Sequence, residues 1–147
     1  VSGRAGRSDL TGEVVIQTYN PDHYSIRYAK SHDYLSFYNQ EMSIRRELCY
    51  SPYFYITVVN IASRDYELGF KEANKIGDYL RKNLSSNTKI LGPSMANIFR
   101  INNVYHYQCI IKYKKDERLN SVLREIDNIY KVNNKIDVDV DVDPVRI

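Results

Sequence analysis

The chain has 147 residues, enough for one sizeable core or for a small domain with an appendage. Its 43% hydrophobic content is that of an ordinary globular protein, and its apolar runs are too short for a membrane span or a secretory segment. Net charge is only +3, but Asp137, Asp139, Asp141 and Asp143 remove four units near the end and leave +7 on the rest. A moderately basic body with one acidic strand suits a nucleic-acid partner, and suits a plain soluble domain equally.

Fourteen tyrosines stand beside no tryptophan. Tyrosine can stack on bases, though its commoner place is half-buried with the hydroxyl in water. Cys49 and Cys109 lack C-x-x-C spacing and are expected as buried thiols in a reducing cytoplasm.

The first seven residues read V-S-G-R-A-G-R. In G-R-x-G-R the glycines let backbone approach a phosphate, and Arg4 and Arg7 can reach its oxygens with fork-shaped guanidinium groups. A basic, glycine-rich tail is the competing reading. Glu13 to Thr18 holds V-V-I, a run suited to a buried strand. Asn20-Pro21-Asp22 reads as a stop, then a helix start with Asp22 as cap and an end near Ser31. Asp33 is a second cap. The helix after it carries Tyr34, Tyr38 and Met42 on one face, expected to pack on a neighbouring core. Arg45 and Arg46 close that helix, where cations suit the dipole, and they are also candidates for phosphate contact.

Ser51-Pro52 breaks the helix, and Tyr53 to Ala62 is expected as a central strand. Tyr66 to Leu84 follows as a helix with Ala73, Ile76, Leu80 and Leu84 on its apolar stripe. Thr88 to Leu91 reads as a short strand, and Gly92-Pro93 as the start of a loop to about Asn97. Ile98 to Ile101 and Val104 to Lys114 form a hairpin about Asn102-Asn103, a pair able to take positive φ. Asp116 caps a helix to about Lys131, with Leu119, Val122, Leu123 and Ile126 at helical spacing. Ile136, Val138, Val140 and Val142 then alternate with the four aspartates, a strand with one buried and one wet face.

This order predicts an α/β (α+β) fold: a split βαβ-type sheet with both helices on one face. A helical connector and a remnant strand precede it. The divisions are residues 1–20, 21–52 and 53–147. The aspartates lie along one strand face at about 7 Å spacing, whereas carboxylates on one ion must converge. They are expected to be offset by lysines of neighbouring strands. His23, His32 and His106 stand apart from any evident nucleophile. Lys112, Lys114, Lys115 and Arg118, with Tyr105, Tyr107 and Tyr113 nearby, make the best nucleic-acid patch.

Several motifs also agree in order with one family. After G-R-A-G-R come G-E-V-V-I-Q-T-Y-N-P (12 to 21), D-Y-x-x-F-Y-x-x-E (33 to 41), R-R-E-L-x-Y-x-P-Y (45 to 53), L-G-P (91 to 93) and D-V-D-P (141 to 144). Together they resemble the C-terminal end of the bacterial primosomal replication-restart helicases, the PriA or primosomal protein N′ family. Residues 85 to 90 and 132 to 135 match least.

The resemblance implies that residues 1–20 are the end of the second motor lobe and that the chain is a fragment. Arg4 and Arg7 would then be arginine fingers of the parent's ATPase. No G-x-x-x-x-G-K-[ST] loop occurs, so this piece is not expected to hydrolyse ATP itself. ATP, magnesium and zinc are implied for the parent, the zinc held upstream; no metal or cofactor is expected here. The implied partners are forked or single-stranded DNA, single-stranded-DNA-binding protein and other primosome proteins, in the bacterial cytoplasm, with no membrane. The implied role is a DNA-binding accessory domain of an ATP-dependent 3′-5′ helicase that restarts stalled forks and assembles the primosome. Its alternative is a domain that docks single-stranded-DNA-binding protein with little DNA affinity of its own. A free-standing enzyme finds no support in any visible constellation.

Overall fold

The computed structural model describes residues 13–132 and 135–144. It divides into two compact units, Val1–Met42 and Ser43–Ile147. Residues 13–18 form no strand, and Val14, Val15 and Ile16 are exposed. The V-V-I run has the propensity for a strand, but no strand among the described residues pairs with it.

In the first unit, α1 (Tyr24–Ser31) is capped by His23, not Asp22, through a bond from the Ser25 N–H to the ring. His32 ends it with φ 53°. Asp33 does cap α2 (Tyr34–Glu47): the Ser36 N–H donates to its carboxylate at 3.0 Å. That bond holds the Asp33 carboxyl below its ordinary range. Tyr34 and Tyr38 do not pack on a core; they are 68% and 47% exposed. The face used is the one beside it, where Tyr24 stacks on Phe37 and its hydroxyl donates to Glu41. Phe37 and Glu41 are also four apart, so periodicity alone could not choose between these faces.

The second unit has the element order β1 (Tyr55–Ser63), α3 (Tyr66–Asn83), β2 (Lys89–Ile101), β3 (Val104–Tyr113), α4 (Leu119–Tyr130) and β4 (Ile136–Val142). The four strands form one sheet in the order β2-β3-β1-β4, every neighbouring pair antiparallel. This is the split βαβ arrangement, and the α+β expectation holds. Both helices pack on one face. Val59, Ile61, Tyr107, Cys109 and Ile111 meet Ala73, Ile76 and Leu80 of α3 and Val122, Leu123 and Ile126 of α4 in one core.

The glycines of α3 mark close approach. A Cβ at Gly69 would stand 2.8 Å from the Tyr107 ring, and one at Gly77 2.9 Å from Pro93. The turn at Asn102 and Asn103 has the expected positive φ, 50° and 60°.

Two local expectations are corrected. Thr88–Leu91 and Ile98–Ile101 are not separate strands; a single bulged β2 covers 89 to 101, so the described residues hold four strands here and not five. Gly92 takes φ +93°, where a Cβ would meet the Gln108 carbonyl at 2.7 Å, and pairing resumes at Ser94 with Gln108. Pro93 lacks a donor, which an edge strand tolerates. Secondly, α4 starts at Leu119, and its N-cap position is Arg118, with no side-chain cap bond. Asp116 instead accepts from Thr88 Oγ1 at 2.5 Å, the Ser85 N–H at 2.9 Å and the Arg118 N–H at 3.1 Å. Burial opposes its ionisation, but these bonds outweigh that and hold its carboxyl low.

Core burial pushes the Cys109 thiol from its ordinary 9.0 up to about 11. The proton is thus held more tightly in the folded state. Its contribution is fully present below pH 9 and is lost as pH rises through about 11, on the order of 2–3 kcal/mol. Tyr130, raised by burial and by its bond to Glu72, adds the same sign. Urea midpoints are expected to fall across this range, and to fall less in Cys109→Ala. Equal slopes would remove Cys109 from the account.

Candidate nucleic-acid interface

The hairpin from Lys89 to Lys115 contains no aspartate or glutamate; its charged residues are Lys89, Arg100, Lys112, Lys114 and Lys115. At the opposite edge β4 carries Asp137, Asp139 and Asp141. The sheet order therefore separates charge, with cations on the β2-β3 side and anions on the β4 side.

The expected lysine partners of the aspartates are not across from them. Asp137, Asp139 and Asp141 face Ala62, Asn60 and Val58 of β1. Asp143 instead ties the strand end to Ile56, donating its N–H to the Ile56 carbonyl at 2.8 Å. No group of three or more metal-ligating side chains converges among the described residues.

Several nominated basic residues turn out to be packed. Lys112 is buried and donates to the Leu48 carbonyl at 3.0 Å, with its ammonium 3.7 Å from the Tyr50 ring centre. Lys114 lies over Phe54 at 5.2 Å and Lys89 reaches the Cys49 sulfur at 3.1 Å. Together these contacts hold the segment from Leu48 to Phe54 over one end of the sheet, on the face that the helices leave open. Arg46 sits 4.8 Å over Tyr53 and donates to its hydroxyl; Arg45 donates to the Ser51 carbonyl at 3.0 Å. Lys115 pairs with Glu117 at 3.0 Å, both about four-fifths exposed, a geometry worth little in water. Arg118 is exposed at the start of α4. Arg4 and Arg7 lie outside the described residues.

Tyr105, Tyr107 and Tyr113 all point to the helix side, and Tyr107 is only 2% exposed. The open face of the central strands shows Asn60, Ala62, His106 and Gln108, with no Phe, Tyr or Trp for bases to stack on, unlike an RNA-recognition sheet. Exposed rings lie elsewhere: Tyr34 and Tyr38 of α2, Tyr55 at the start of β1, and a pair at Tyr66 and Phe70 of α3 beside Phe99 and Arg100 of β2. Residue-by-residue reading missed the α3 pair, though the absence of acids from 89 to 115 was visible in the sequence.

Among the described residues one histidine meets a hydroxyl side chain. His23 and Ser25 meet at 2.7 Å, but on an exposed cap. A depression of 1220 Å³ at the far end of the sheet is lined by both signs of charge, Arg64, Lys131, Asp65 and Asp127 among them. No described helix is long and apolar enough to cross a membrane.

A family model described as the primosomal protein N C-terminal domain matches residues 46–145. The chain belongs to this family. Among its relatives, the replication restart protein PriA of Bacillus subtilis is 47% identical over 131 residues, covering 89% of this chain and 16% of that protein. The replication restart protein PriA of Synechocystis is 35% identical, over all of this chain and 17% of that one. That of Chlamydia muridarum is 30% identical, over 99% and 19%. The chain thus spans less than a fifth of the length of these PriA relatives. The family match covers the whole split βαβ sheet and begins at Arg46.

Proposed function

We propose that this chain is a DNA-binding accessory domain of a longer replication-restart protein that acts at forked or single-stranded DNA. The observation that carries the reading is the acid-free, cationic β2-β3 hairpin set apart from an acidic β4. Such a strip attracts a polyanion, and the anionic edge orients it. ATP-driven 3′-5′ unwinding would belong to other parts of the longer protein, with Arg4 and Arg7 as its fingers. The described residues include no phosphate loop and no converging group of three or more metal-ligating side chains.

Fluorescence anisotropy of labelled single-stranded and forked DNA, at about 50 and about 200 mM salt, tests this. Binding that falls steeply with salt is the expected result. No binding at the lower salt would end the reading. A second reading has its own support: Leu91 is exposed on the same cationic strand, an apolar contact suited to the acidic tail of single-stranded-DNA-binding protein. Displacement of tail peptide by DNA would place both on the hairpin. Peptide binding without DNA binding would favour docking alone.

A further inference from the structure

Five rings meet where the first half of α3 crosses β2 and β3. Phe99 lies 5.4 Å from Tyr107, 5.5 Å from Tyr105 and 6.1 Å from Tyr66, and Phe70 lies 6.4 Å from Tyr107. The cluster is rooted: Tyr107 is buried, and its hydroxyl donates to the Tyr66 carbonyl at 3.0 Å. Its outer members are not. Phe70 is 53% exposed and Tyr66 44%. Arg100 is held over Tyr105 at 5.3 Å, steadied by a bond to Asn103 at 2.7 Å. A folded chain ordinarily keeps such rings under cover or puts them to use.

We propose that this corner is a stacking platform for unpaired bases, so that the chain binds single-stranded DNA in preference to a blunt duplex. The proposal rests on the DNA-binding reading above and names the form of DNA that this surface takes. The cation beside the rings is Arg100; the hairpin's other cations, Lys89, Lys112, Lys114 and Lys115, lie toward its opposite end, and the hairpin carries no acid. The Asp65 carboxylate at the head of α3 accepts from the Leu68 N–H, and Glu67 is the other acid of that turn. A cation beside exposed ring faces is the combination that holds single strands, because every base offers a π-face once it leaves its pair. In a duplex those faces are stacked on one another and cannot reach Phe70.

The chain has no tryptophan, so Phe70→Trp places a sole indole reporter on the platform. With the full 147-residue chain, its emission is expected to be quenched by an oligothymidylate single strand and left unchanged by a blunt duplex, with anisotropy reporting occupancy of both. Phe70→Leu keeps apolar bulk but loses the ring. It is expected to weaken single-strand binding about ten-fold and leave duplex binding unchanged. Phe70 is more than half exposed, so neither variant empties the core, and circular-dichroism melts check this. Unquenched emission at saturating single strand overturns the proposal, as does wild-type single-strand affinity in Phe70→Leu; either result leaves the DNA-binding reading standing. Absence of binding to any DNA at low salt overturns both.

Discussion

The triple variant Arg100→Glu, Lys114→Glu, Lys115→Glu is expected to lose about a hundred-fold or more of DNA affinity at low salt. These three cations belong to the acid-free hairpin, and Lys114 and Lys115 are exposed. Each phosphate contact releases counterions and adds about 0.9 on duplex, or about 0.7 on a single strand, to the slope of log affinity against log salt, so three lost contacts flatten that slope by about 2–3. The reversed charges add repulsion. The slope discriminates better than the affinity: a misfolded protein loses binding at every salt, whereas a folded one lacking three contacts becomes less salt-sensitive. A variant with an unchanged slope would show that these cations touch no phosphate. Lys112 is omitted on purpose. Its ammonium is tied to Leu48, and charge reversal there would release the segment that covers one end of the sheet.

Ile61→Ala is expected to cost about 3–4 kcal/mol of stability, which urea denaturation followed by circular dichroism would read. Ile61 is wholly buried on the central strand β1, between Tyr107 of β3 and Val138 of β4. Its truncation removes methyl groups from the layer shared by both helices and leaves a cavity that paired strands cannot close. A loss below about 1 kcal/mol would mean that the helices relax into the gap and that the core is softer than its burial suggests. The substitution lies away from the cationic hairpin's exposed side chains, so the folded fraction should keep its DNA affinity.

How much of this was legible beforehand differs by element. The α3 and α4 stripes, the Asn102-Asn103 turn and the alternation in β4 are local patterns, written at helical or strand spacing, and each formed where expected. Element order alone restricted the sheet to a few topologies, the observed one among them. The Gly92-Pro93 bulge was misread because a loop and an edge-strand bulge share the same residues; only pairing with Gln108 separates them. Tyr34 and Tyr38 were misassigned for a like reason, since two adjacent faces of α2 carry rings and the partner of one, Tyr24, lies on another helix.

The candidate interface divides in the same way. The sequence by itself determined the family, the fold class and the charges: five cations and no acid from 89 to 115, four aspartates near the end. Those quantities do not depend on where the chain goes. Only the tertiary structure decided which charges face water. Lys112 alternates along β3 as a solvated side chain would, yet the segment after α2 buries it, because a helix C-terminus and the Tyr50 ring attract its ammonium; Lys114, just past the strand, lies over Phe54 and stays exposed. It also decided that Phe70 and Phe99, 29 positions apart, share one corner with Arg100 beside them, a meeting that strand pairing and helix packing create and no local spacing encodes.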